Sequence, residues 1–111
     1  MKITINFAEP VIPEETVCNI TPSDLDDFYV TASDFDKSNL FFVLLTSLHH
    51  YEDRKDYIKT AHLNFLTACY LFITLTPPGS FPLALHYIKA AIAFNPLPDY
   101  KEWLALIEKG N

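Results

Sequence analysis

Tyr57-Ile58-Lys59-Thr60-Ala61-His62-Leu63-Asn64-Phe65-Leu66-Thr67-Ala68-Cys69-Tyr70-Leu71-Phe72-Ile73-Thr74-Leu75, followed by Thr76-Pro77-Pro78-Gly79-Ser80, is the stretch on which the fold turns. Tyr57, Ile58, Ala61, Leu63, Phe65, Leu66, Ala68, Cys69, Phe72 and Ile73 fall mostly at helical spacing, over a run too long for one strand. The spacing predicts a helix over about residues 54–75, with Asp53 as its cap. The two prolines stop it, since neither can donate to the helical ladder. Ser80 then caps a following helix over about residues 81–94, whose first turn tolerates Pro82. A helical hairpin is implied. Leu83, Ala84, Tyr87, Ile88, Ala91 and Ile92 share one face of the second helix, and the small residues among them let a partner helix approach closely.

Working outward, Leu40-Phe41-Phe42-Val43-Leu44-Leu45 continues through Leu48 and Tyr51, which predicts a buried helix over about residues 35–51, started by Ser33-Asp34-Phe35-Asp36. Thr21-Pro22-Ser23-Asp24 places a threonine cap before a proline, with an acid three residues on, and opens a short helix over about residues 22–29. Downstream, Asn95-Pro96-Leu97-Pro98 ends the fourth helix. Asp99-Tyr100-Lys101-Glu102 repeats the capping-box pattern and starts a last helix through Trp103, Leu104, Leu106 and Ile107 before Gly110. Ile3, Ile5 and Phe7 alternate with Thr4 and Asn6, which suits one short extended segment before a loop carrying Pro10 and Pro13. The reading is all-α: antiparallel helical hairpins over residues 21–111 as a single domain, behind an extended, irregular, acidic N-terminal arm at residues 1–20.

Gly79-Ser80-Phe81-Pro82-Leu83-Ala84, then Ile88, Ala91-Ile92 and Phe94-Asn95-Pro96, resembles the second helix and exit turn of a tetratricopeptide repeat. That repeat spaces a glycine, an aromatic, small residues and a final proline so that two helices pack closely and then turn. Phe65, Ala68, Cys69 and Phe72 fill the matching positions of its first helix, with Thr76-Pro77-Pro78 as additional residues in the turn. The resemblance implies a tetratricopeptide-like array and a recognition scaffold in place of a catalyst; a plain small helical bundle is the alternative architecture. Small acidic type III secretion chaperones belong to that family. By resemblance, Leu66, Tyr70 and Ile73 would face a groove that holds a partner segment, Tyr70 reading foremost as a half-buried ring in the hairpin.

Composition narrows the function classes. The chain has 111 residues, half of them apolar, enough for one core without disulfides or a structural metal. Only Gly79 and Gly110 occur as glycine, which excludes glycine-rich phosphate loops and dinucleotide fingerprints. The net charge is −6, and residues 1–36 carry it with eight acids against Lys2 alone. One arginine and no basic run argue against nucleic acid and against an anionic membrane surface. Leu40 to Leu45 and Ala68 to Ile73, the longest apolar runs, are too short to span a bilayer, and the amino terminus lacks a signal-peptide core. Cys18 and Cys69 match no zinc or disulfide framework, so a cytoplasmic chain with reduced thiols is expected.

Candidate chemistry is sparse. His49 and Asp53 stand four apart on one helix face with His50 beside them, but two ligands do not make a metal site. His62 and His86 have no carboxylate or thiolate at helical spacing. Cys69 sits among apolar residues that raise a thiol's pKa, and Cys18 is expected to be exposed without a base to activate it. Asp24, Asp26, Asp27, Asp34 and Asp36 lack the spacing, glycine and closing glutamate of a calcium loop. Neither a cofactor nor a catalytic residue is expected. The aromatic excess points instead to protein contacts: Phe41 and Phe42 cannot both face one side of a helix, so one of them is expected to contact the N-terminal arm, another subunit or a partner protein, and Phe41, Phe42 and Trp103 are the candidate contact residues. The expected function is non-enzymatic, a chaperone or adaptor binding another protein as a hetero-complex or homodimer. The alternative is an acidic immunity or inhibitor protein that blocks a basic toxin or enzyme surface.

Overall fold

The computed structural model describes residues 3–6 and 8–110. Among them stand five α-helices and no strand: α1 (Pro22–Thr31), α2 (Asp34–Asp53), α3 (Tyr57–Cys69), α4 (Ser80–Phe94) and α5 (Pro98–Lys109). A short 3-10 turn, Val17–Asn19, precedes α1, and a π-helical segment, Tyr70–Leu75, continues α3. Phe7, part of the expected extended segment, lies outside the described residues, and the neighbouring residues 3–6 form no strand.

Local chemistry explains where each helix begins. At α1 the Thr21 hydroxyl accepts from the Asp24 amide, while the Asp24 carboxylate accepts from the Thr21 amide at 2.8 Å, so two orphan donors are satisfied reciprocally. That backbone hydrogen bond holds the Asp24 carboxyl below its ordinary value. At α2 the Ser33 hydroxyl accepts from the Asp36 amide. The expected cap of α3 is corrected: Asp53 is the last residue of α2, and Asp56 caps α3 by accepting from the Lys59 amide. The shift follows from Lys55, whose φ of 61° closes α2 in the left-handed region without a glycine to announce it. Two further caps differ from expectation. Gly79, not Ser80, precedes α4, and α5 opens at Pro98 behind Leu97, with no side-chain cap at either position. Proline's fixed φ substitutes for a capping box in α5.

α3 packs most extensively against α4 and next against α2, while α5 lies on α4. Leu40, Leu44, Leu63, Leu66, Leu71, Ile88 and Ile107 form a core with almost no solvent contact. Ala61, Ala68, Ala84 and Ala91 are fully buried, the small side chains that let helix backbones approach. On the opposite side of α3, Phe65 meets the Tyr100 ring at 4.8 Å and the Trp103 ring edge-on at 6.1 Å, which seats α5. The helical stretch Tyr57–Leu75 spans 19 residues, so in contrast to the apolar runs taken alone it reaches bilayer length; 67% of its most apolar 18-residue window is buried inside the fold, as in a core helix.

The N-terminal segment is more than an arm. Ile12, Val17 and Ile20 are buried members of the core. The Ile12 amide donates to the Ser47 hydroxyl oxygen at 2.9 Å and the Ile12 carbonyl accepts from the Tyr51 hydroxyl at 2.6 Å. Residues 11–20 therefore form a strap across α2 and α3, because three apolar side chains outweigh the exposed Glu14 and Glu15 between them.

Candidate partner-binding cleft

The end of α3 widens before it stops. Thr76 donates its amide to the Leu71 carbonyl at 3.1 Å, a five-residue closure, and adopts φ 45° and ψ 52°. A β-branched residue in the left-handed region costs of order 1–2 kcal/mol, and single-turn π-helices recur at functional sites. Pro77 follows and supplies no amide, so the chain leaves the helix there; Gly79, at φ 81°, completes the reversal into α4.

This widened end borders a cleft of about 230 Å³ lined by Ser38, Phe41, Phe42, Leu71, Leu75, Pro77, Pro78 and Leu83. Leu71 is buried and forms its floor, whereas Phe42 and Leu83 are 61% and 41% exposed on its rim. Phe41 and Phe42 stand edge to face at 5.6 Å. Phe41 is half-buried and Phe42 exposed, and both line the cleft.

The other expected contact residues are dispersed. Leu66 has no exposed surface, and Tyr70 is likewise fully buried where a half-buried ring was expected, its hydroxyl donating to the Lys37 carbonyl at 2.5 Å. Neither offers surface to a partner in this conformation, because both face α2 or the core from the inner side of α3 and its π-helical continuation. Burial pushes the Tyr70 hydroxyl far above its ordinary pKa. Ile73 is exposed on the π-helical segment but does not line the cleft, and Trp103 packs on Phe65 at α5. The lining residues Ser38, Leu71, Leu75, Pro77, Pro78 and Leu83 are not among the expected contact residues; the extra Thr76-Pro77-Pro78 in the turn is the signal available for those at the end of α3.

Titratable side chains elsewhere serve structure. The ring of His62 is held between the strap and α5: Nε2 donates to the Ile20 carbonyl at 2.7 Å, which leaves Nδ1 to accept from the Tyr100 hydroxyl at 3.3 Å. Burial lowers the His62 pKa and raises that of Tyr100 to about 12. Cys69 is buried, with its thiol pushed far up by desolvation; Cys18 is exposed as a residue, and partial desolvation also raises its thiol. Both shifts oppose thiolate formation. Lys59 donates to Asp56 at 2.8 Å, and this bond lowers the carboxyl and raises the ammonium. Among the described residues, no three His, Cys, Asp or Glu side chains converge as a metal site. A second hollow, about 420 Å³, lies between the N-terminal segment and Val43, with Glu9 the one ionisable side chain among the described residues that line it.

No protein-family model matches the chain, and no curated protein or solved structure matches it either.

Proposed function

We propose that the chain is a non-enzymatic interaction module, acting in the cytoplasm as an adaptor or chaperone, whose cleft between α2 and the π-helical end of α3 receives an apolar side chain of a partner protein. The observation that carries this reading is the exposure of Phe42 and Leu83 on the rim of a cleft floored by buried Leu71. Large aromatic and aliphatic side chains around a small desolvated pocket are the usual anchors of protein recognition. The cleft volume of about 230 Å³ suits one large side chain and falls short of the several hundred Å³ of a small-molecule site. The raised thiol pKa values of Cys18 and Cys69, and the engagement of both His62 nitrogens in structural contacts, support a non-catalytic role.

A tetratricopeptide-like pairing of α3 and α4 as an antiparallel hairpin belongs to the same proposal. The burial of Ala68, Ala84 and Ala91 and the four-residue turn at 76–79 support it. Photo-crosslinking from position 42 of the full chain in native lysate tests the interaction reading. A crosslinked partner that Leu83→Ser abolishes, and that Ala105→Ser on α5 leaves intact, is expected; crosslinking indifferent to Leu83→Ser overturns it.

A further inference from the structure

We infer that the cleft selects a partner segment in which one large apolar side chain is flanked by lysine or arginine, the acidic residues of α1 and α2 supplying the selectivity. This rests on the interaction reading above and adds the chemistry of the partner.

Residues 70–87, which include the π-helical segment, the proline turn and the first half of α4, contain no Asp, Glu, Lys or Arg. The charges beside the cleft therefore come from α1 and α2. The Asp26 carboxylate accepts from the Thr74 hydroxyl, which places it next to Leu75 of the lining. Asp34 stands four residues before Ser38 and seven before Phe41, on the same helix face, with its carboxylate fully exposed. Asp27 is exposed as well. Lys37 is the single Lys or Arg within α1 and α2, and it is already occupied: its ammonium lies 4.3 Å above the Tyr29 ring and 3.7 Å from Asp34. Asp26, Asp27 and Asp34, on the α1 and α2 side of the apolar cleft, thus outnumber Lys37.

The same imbalance chooses among occupants. A second copy of this chain docked through the cleft about a two-fold axis would bring one acidic rim against another. Nucleic acid and anionic lipid would meet the same repulsion. A basic-flanked apolar segment converts those carboxylates into attraction, which acts on encounter and on partner choice more than on the apolar contact itself.

Two labelled peptides with identical leucine positions, one with lysine at the remaining sites and one with glutamate, are titrated against the full-length isotope-labelled chain. The lysine peptide is expected to shift the amides of Phe42, Leu75 and Leu83 and to bind at least about tenfold more tightly than its glutamate counterpart at low salt. Asp26→Asn with Asp34→Asn is expected to erase most of that preference. Equal binding of both peptides at the cleft overturns the acidic selection while leaving the interaction reading intact. Shifts confined to exposed carboxylates, with none at the cleft, also overturn it, and the crosslinking experiment then decides the interaction reading. Absence of binding by either peptide overturns the acidic selection, and the crosslinking experiment again decides the interaction reading.

Discussion

The Tyr51 hydroxyl donates to the Ile12 carbonyl at 2.6 Å, tying the last turns of α2 to a residue 39 positions earlier in the chain. Four residues back on the same helix face, Ser47 accepts the Ile12 amide, so one peptide unit of the strap has both polar groups satisfied in a buried setting. Tyr51→Phe keeps the ring and strands the carbonyl, and should cost about 1–3 kcal/mol in urea unfolding. Hydrogen exchange should rise first at residues 12–20, because the strap loses its fastening before the helices lose theirs. Unchanged exchange there would mean that Ile12, Val17 and Ile20 hold the strap without the hydrogen bond.

His62 gives the fold a pH dependence of defined sign. Burial lowers its folded pKa below the unfolded value near 6.5, so the unfolded chain takes up the proton first as pH falls. Stability attributable to this residue is complete above about pH 6.5 and is lost as pH drops through the lowered folded value. The carboxyls of Asp24 and Asp56 are also lowered, but they contribute above about pH 4 and weaken the fold only in more acid solution. The urea midpoint should therefore fall between pH 7.5 and 5 in the native chain and fall less in His62→Gln. A midpoint that rises on acidification would contradict the buried neutral ring.

Helix existence was legible from apolar periodicity and punctuation, and the Thr21 and Ser33 caps emerged as read because each side chain meets an amide within its own turn. What escaped was set by contacts distant in sequence or by backbone geometry without a residue signature. The strap was read as an arm because its acids are conspicuous, while Ile12, Val17 and Ile20 gain their value from α2 and α3. Lys55 ends α2 in a conformation usually signalled by glycine, which moved the α3 cap from Asp53 to Asp56. The π-helical segment ends in the five-residue closure from Thr76 to Leu71, and Leu71 and Leu75 of that segment line the cleft. Periodicity of 3.6 residues could not place them.

Thr76 and Gly79 share positive φ and should respond oppositely to substitution. Thr76→Gly removes the left-handed penalty of a β-branched residue and should stabilise the chain by up to about 1 kcal/mol, net of glycine's larger unfolded entropy. Gly79→Ala adds a Cβ that meets nothing within 4 Å, so its cost is backbone strain alone, about 1 kcal/mol. Thermal unfolding of both variants checks the pair. A destabilised Thr76→Gly would show that the threonine side chain contributes more than its conformation costs.

Rim and floor of the cleft should separate in the same pair of assays. Phe42 is 61% exposed, so Phe42→Ser should change stability by no more than about 0.5 kcal/mol. Leu71 is 1% exposed, and Leu71→Ala should cost about 2–5 kcal/mol, because the vacated volume lies against the core helices as well as the cleft. If the cleft is a recognition site, the ordering reverses for binding relative to stability: Phe42→Ser abolishes partner capture in a chain that unfolds like the native one. Exposed aromatic surface persists at a cost in solubility, so a rim residue that contributes nothing to the fold is expected to contribute to association. Urea midpoints combined with the yield of photo-crosslinking from position 38, another lining residue, give the test. Loss of stability in Phe42→Ser would place its ring in the core and remove the rim from the binding surface.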